Sequence, residues 1–304
     1  MRKILGFLQS PGFRAGFLIV AIVAAIYAVA SNWGEVSEAL RALPAWLVAV
    51  EVFLSFGYVY LTMASWRLVL NDVGTPVNAT VASRIFFSSQ VAKYLPGGVW
   101  NFVAAAEVGR DYEISRRRSV CALLVSIVIS IVTGMILAIL AVVLGPDNVR
   151  ENYGWLIAVL PLALIALCPP ILNRLVNFAL KVLGREPLED AMTWRKTLRA
   201  ALWALVAWCV AGLQLWLMLG QLGMPATVPT FLLATGGYAL GWTAGFLVFF
   251  VPAGAGVREV ALGAVLSTVA PAGVVVVVVL LARIFTTVAD IGWGVAASLA
   301  MRRG

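Results

Sequence analysis

Two stretches of this chain, Ser119–Leu144 and Ala200–Leu222, contain no charged side chain. A helix needs about 20 mostly apolar residues to cross the hydrocarbon core of a bilayer, and both stretches exceed that length. Four more have the same character: Ala15–Ala30; Ala45–Leu70, interrupted by Glu51 and Arg67; Gly154–Leu172, broken by Pro161 and ended by Pro169-Pro170; and Gly273–Ala300, with Arg283 and Asp290. Composition agrees, since 62% of the residues are hydrophobic and only 12% charged, against about 25% charged in soluble domains. A water-soluble protein is excluded. The sequence predicts an all-α polytopic membrane protein with six full spans.

The 22 basic and 14 acidic residues leave a net charge of +8. Threading the six spans alternately collects Arg2, Lys3, Arg14, Arg110, Arg116, Arg117, Arg118, the basic residues from Arg174 to Arg199, Arg302 and Arg303 on one side. Only Arg41 and Arg150 fall on the other. Lys and Arg accumulate in cytoplasmic loops, so both termini are expected in the cytoplasm, with the chain in the plasma (inner) membrane. The basic excess is then an orientation label, and no nucleic-acid partner is expected.

Histidine is absent, which removes the commonest general base and any His-ligated metal site. Cys121, Cys168 and Cys209 stand singly in apolar runs and read as small buried hydrophobes. No catalytic residue, metal or cofactor is expected, which favours a carrier over an enzyme. Ala28-Val29-Ala30 resembles a signal-peptide cleavage site, but the fourteen residues ahead of that apolar run speak against cleavage. Residues 173–199 read as an interfacial amphipathic helix, with a solvated connector as the plainer alternative.

Two further segments, about 79–110 and 231–269, share one pattern. Each joins two short apolar stretches through a break, Pro96-Gly97-Gly98 in the first and Pro252-Ala253-Gly254-Ala255-Gly256 in the second. Proline removes an amide donor and glycine permits helix-ending angles. Superposing Pro96 on Pro252 divides the chain into halves, 1–152 and 153–304, each with two spans, a broken hairpin and a third span. Three spans is an odd number, so the halves are expected to be upside down relative to each other, with two opposed re-entrant hairpins meeting near the midplane. The freed backbone groups must be covered by protein or line a wet cavity.

Charges inside the bilayer cost roughly 2.5–3.5 kcal/mol each. Glu51, Arg67 and Arg84 lie near segment ends, where side chains can reach the interface. Lys93, Glu107, Arg258, Glu259, Arg283 and Asp290 are deeper and must be paired or hydrated. Lys93 and Arg258 flank the two breaks, where helix ends expose amide donors suited to a phosphate-sized anion. Lys93, Arg258 and Arg283 are therefore candidate headgroup ligands, with Glu107, Glu259 and Asp290 supporting them or coupling an ion. The plainer reading is an internal salt-bridge network of Lys93 with Glu107 and Arg258 with Asp290 or Glu259. Gly237, Gly241 and Gly245, and Gly294 with Ser298, are small-residue series that allow close helix packing. Trp33, Trp46, Trp155 and Trp194 stand at span ends, as an aromatic belt requires.

The run Tyr94-Leu95-Pro96-Gly97-Gly98-Val99-Trp100, followed by Pro252-Ala253-Gly254-Ala255-Gly256-Val257-Arg258-Glu259, resembles the lysylphosphatidylglycerol synthase transmembrane (flippase-like) family. It is similar to the membrane flippase domain of the multiple peptide resistance factor, and the resemblance covers nearly the whole chain. It implies that Pro96, Gly97 and Trp100, with Tyr94 beside them, form one motif, and Pro252, Gly254, Gly256, Arg258 and Glu259 the other. Gly98, Ala105 and Ala253 depart from the family's pattern and leave the first hairpin less cationic, which weakens the case for an aminoacylated lipid. The resemblance implies a stand-alone member, without the soluble synthase domain, that moves a phospholipid or a polyprenyl-phosphate-linked sugar between leaflets. The alternatives are a non-transporting partner of a lipid-modifying enzyme or glycosyltransferase, and a secondary transporter of a small anionic solute.

Overall fold

The computed structural model describes residues 26–27, 30, 33–74, 76–94, 100–182, 191–248 and 251–302, and every regular element among them is helical. The expected first span, Ala15–Ala30, and the Pro96-Gly97-Gly98 break lie largely or wholly outside the described residues. The helices are α1 (Trp33–Ala42), α2 (Ala45–Asp72), α3 (Ala79–Ala92), α4 (Trp100–Arg110), α5 (Arg116–Leu144) and α6 (Asp147–Tyr153). After a 3-10 turn at Gly154–Val159 come α7 (Leu160–Leu167), α8 (Pro169–Val182), α9 (Trp194–Gln221), α10 (Val228–Leu247), α11 (Val257–Leu266) and α12 (Ala272–Arg302).

Five helical stretches among the described residues are long and apolar enough to cross a membrane: Ala45–Asp72, Arg116–Leu144, Asp147–Leu167, Trp194–Gln221 and Ala272–Ala300. The chain is a multi-pass membrane protein. Large apolar side chains such as Phe53, Leu202, Val260, Ile284 and Val295 point outward, as lipid-facing surfaces require, and the four end-of-span tryptophans are exposed.

Local chemistry explains where helices start and stop. Asn78 Oδ1 accepts from the Val81 amide at the start of α3, and Ser115 Oγ from the Arg118 amide at the start of α5. Such side-chain acceptors satisfy amides that have no partner within the helix. At Pro161 the segment changes from the 3-10 turn to α7, and the proline sits in the first turn of that helix, where its missing N–H costs nothing. Cys168 is extended because a residue ahead of proline avoids helical angles, and α8 begins on Pro169. The amphipathic stretch expected over 173–199 is divided: α8 holds its first part, and Trp194 onward belongs to α9. The first arm of the second hairpin is longer than the short apolar stretch expected. At 1.5 Å per residue, α10 with its 20 residues is about 30 Å long, the thickness of the hydrocarbon core.

α2 and α9 form the most extensive pair and run antiparallel. Lys196 Nζ donates to Asp72 O at one end, Ser65 Oγ to Ala200 O, Gln214 Nε2 to Glu51 O, and Gln221 Nε2 to Ala42 O at the other end. Around this pair α5 packs on α10, and α12 packs on α3. The contacts are close because side chains are small. A Cβ at Gly212 would collide with Thr235, and one at Gly294 with Val91. Without a hydrophobic drive between helices in lipid, such van der Waals contact is what holds the bundle.

Candidate functional site: a cationic cavity between two helix breaks

The second break is a tight reversal. Pro252–Gly254 form one 3-10 turn, and Ala253, Gly254 and Gly256 have φ of 48°, 69° and 82°. At Gly254 the left-handed angle coincides with contact, since a Cβ there would lie 2.7 Å from Gly245 Cα. Only glycine meets both demands cheaply. α11 then lies along the face of α10 formed by Gly237, Gly241 and Gly245, the small-residue series read from the sequence. Its first turn is capped by Glu259, whose Oε2 accepts from the Gly256 amide at 2.6 Å. The Glu259 carboxylate thus already occupies the amide site expected to receive an anion.

The end of α3, ahead of the first break, meets the second break through main chain. The Ala253 amide donates to Lys93 O at 3.1 Å. Lys93 Nζ lies 2.7 Å from Asp290 Oδ2 and donates to Gln90 Oε1 at 3.0 Å. Tyr94 Oη donates to the same Asp290 oxygen at 2.7 Å. Asp290 is only 1% exposed, so this pair is sealed on its acidic side.

Arg283 and Asp290, two turns apart on α12, do share a face, but they serve different partners. Arg283 Nε is 3.4 Å from Glu259 Oε1, and its Nη2 donates to Ala253 O at 3.0 Å. Arg258 is held differently. Its guanidinium lies 4.6 Å from the centroid of the Tyr238 ring, and no carboxylate among the described residues is within ion-pairing distance. The pairs expected from sequence, Lys93 with Glu107 and Arg258 with Asp290 or Glu259, are therefore replaced by Lys93 with Asp290 and Arg283 with Glu259.

Glu107 is a correction of another kind. It is not deep: its side chain is 48% exposed and pairs with Arg116 at 2.7 Å and Arg110 at 3.3 Å. The hydrogen bond from Arg116 holds its carboxyl below the usual carboxylate range. Trp100 opens α4 and is exposed. Glu51 is a third correction, because it does not reach an interface and is 1% exposed.

Lys93, Arg258, Arg283 and Asp290 all line one cavity of about 340 Å³, a volume that suits a small-molecule headgroup. Three cations against one carboxylate give its wall a net positive charge. The remainder mixes aliphatic with aromatic and hydroxylic side chains, the latter including Tyr58, Trp66, Thr62 and Trp242. Its lining on α2 (Tyr58–Trp66) and α5 (Leu123–Ser130) comes from the halves of those helices nearer the basic end, where Arg118 donates to Leu70 O. Glu259, Asp290 and Glu107 each have a cationic partner, so none is poised as a metal ligand. Sequence reasoning missed Tyr58, Trp66, Tyr238 and Trp242. The signal for the first lay in α2, where Glu51, Tyr58 and Ser65 recur every seven residues beside Ser55 and Thr62, on one face.

A bundle of spanning helices around an internal cationic cavity defines a multi-pass membrane protein. The chain belongs to the family described as the lysylphosphatidylglycerol synthase TM region, whose sequence pattern matches residues 15–294. No curated protein matches it.

Proposed function

We propose that the chain is a lipid translocase of the plasma membrane that moves a phosphate-bearing lipid headgroup between leaflets while the acyl or prenyl tails stay in the bilayer. The observation that carries this reading is Arg258, a cation on the cavity wall with an aromatic ring in place of a carboxylate partner. A cation within the membrane without a counter-ion is costly, and a phosphate supplies the missing charge and hydrogen bonds. Lys93 and Arg283, already held by Asp290 and Glu259, add field and orientation.

We read the two halves as an inverted repeat. Superposing Pro96 on Pro252 lays α5 on residues 272–300, against the observed α12 at Ala272–Arg302. It lays α4 on 256–266, against α11 at Val257–Leu266. The packing supports the same reading, because each third span embraces the other half's hairpin: α5 with α10, α12 with α3. With the basic end in the cytoplasm, the cavity lies in the cytoplasmic half, as a carrier loading from that side requires. The carrier performs no covalent chemistry in this reading, and any lipid-modifying enzyme or glycosyltransferase that supplies its substrate is a separate partner.

The test is leaflet exchange of labelled phospholipids and prenyl-phosphate lipids by the purified protein in liposomes. Exchange above that of protein-free liposomes, and its loss in Arg258→Ala, is the expected result. Wild-type protein that accelerates no lipid, under any membrane potential or pH gradient, overturns the reading.

A further inference from the structure

Glu51 has no counterpart among the acids of the cavity. Asp290 is paired with Lys93 and Tyr94, and Glu259 with Arg283 and the Gly256 amide. Glu51 is 1% exposed, and neither carboxyl oxygen has a hydrogen-bond partner. It sits in the seam of the antiparallel pair α2 and α9, opposite Gln214. Gln214 Nε2 is taken by Glu51 O and by Ser55 Oγ at 2.6 Å, while its Oε1 is also buried without a partner.

Unpaired as an anion there, Glu51 would bear the full cost of a buried charge. Carrying a proton it becomes a donor, and Gln214 Oε1, on the side chain that bonds the Glu51 main chain, is an orphaned acceptor. Gln214 faces it from α9, and no charged group of α3, α5, α9 or α12, the helices packed on α2, forms an ion pair with it among the described residues. α12 presents Trp293 to the adjoining turn of α2, where its Nε1 donates to Phe56 O.

The position matters as much as the chemistry. The cavity occupies the half of α2 from Tyr58 to Trp66, nearer the basic end, whereas Glu51 lies seven residues earlier, about 10 Å along the helix. There α2 and α9 close the other half of the bundle. Buried polar side chains connect the two places. Gln214 bonds Glu51 O and Ser55 Oγ; one turn further along α2 from Ser55 stands Tyr58, whose ring meets Tyr238 edge-on at 5.6 Å, and Tyr238 carries Arg258 on its face.

We propose that Glu51 is a proton-binding site that couples the translocase to a proton gradient: protonated while the α2–α9 seam is shut, and releasing its proton to water when that seam opens. The inference rests on the translocase reading and adds its energy source. The bound proton sits on the Glu51 carboxyl, bonded to Gln214 Oε1, and is exchanged with the aqueous phase on the far side. The line through Tyr58 and Tyr238 tells Arg258 which state the seam is in.

Two measurements on the full chain in liposomes test it. In the first, infrared spectra of wild type should contain a protonated-carboxyl band that Glu51→Gln lacks; a spectrum without it overturns the site. In the second, labelled lipid exchange is followed with a pH gradient imposed. For one proton per lipid, each pH unit shifts the leaflet distribution about tenfold, and Glu51→Gln should lose that shift. Wild type that moves lipid with a distribution blind to the gradient overturns this inference alone, as does Glu51→Gln responding like wild type. Wild type that moves no lipid overturns the translocase reading and the coupling together. Should Glu51→Gln fail to fold, Gln214→Leu removes the acceptor at similar volume; the pH at which the band vanishes should move, and an unmoved band overturns the site.

Discussion

Lys93 and Arg258 stand at the two breaks and line the same cavity, yet they are held by opposite means. Lys93 has a buried carboxylate 2.7 Å away, with Tyr94 bonded to the same oxygen. Arg258 has the face of Tyr238, and the carboxylate next to it in sequence, Glu259, turns back to cap α11 and meet Arg283. The first cation therefore belongs chiefly to the scaffold, and the second is the one whose charge is still available. A sequence places both beside a Pro-Gly break and gives no reason to distinguish them.

The contrast can be broken most sharply by removing Lys93. Lys93→Ala leaves Asp290 buried without its cation, which costs on the order of 3–5 kcal/mol, whereas replacing both members with apolar residues is close to neutral. Thermal unfolding in detergent should thus show Lys93→Ala far less stable than the double variant Lys93→Met with Asp290→Leu. Equal stability of the two would remove Lys93 from the scaffold.

The second break is set by backbone. Gly254→Ala adds left-handed strain and a clash with Gly245, about 2–4 kcal/mol in all. Gly223, at φ 88° with nothing within 4 Å of where a methyl group would sit, meets the strain alone. Gly223→Ala is expected to cost roughly 1 kcal/mol by the same measurement, and a similar loss at both sites would dismiss the contact.

Arg258→Ala should keep the fold and lose function. A hydrogen bond to a charged group contributes about 1.5–3 kcal/mol, so lipid exchange should fall roughly 10- to 150-fold. Arg258→Lys should fall between the two, because a lysine restores the charge without the fork. The smallest effect is expected far from the cavity. Arg116 holds the Glu107 carboxyl low, so that pair contributes above the ordinary carboxylate range and the contribution fades as pH falls through the lowered value. Arg116→Ala should return Glu107 to ordinary titration by NMR while barely changing stability at neutral pH, since the pair is exposed.

Much of the molecule was legible in the amino-acid sequence. Long apolar runs marked five of the six expected spans, the paired motifs declared the family, and the glycines at 237, 241 and 245 declared a close helix face. What escaped was which charges meet. Lys93 and Asp290 are brought together from the end of α3 and the middle of α12, and no local pattern encodes that. Glu107 looked deep because α4 is apolar around it, yet the helix ends one turn later at the basic surface. Glu51 looked peripheral because it lies near the start of α2, but α9 covers it; burial is a property of the neighbour.

The join between the end of α3 and the second break is made by an amide and a carbonyl, Ala253 to Lys93. A bond of that kind does not depend on which side chains those positions carry. The end of α3 and the second break can therefore stay docked while the residues facing the cavity change, so substitutions in the cavity wall can leave this central joint untouched.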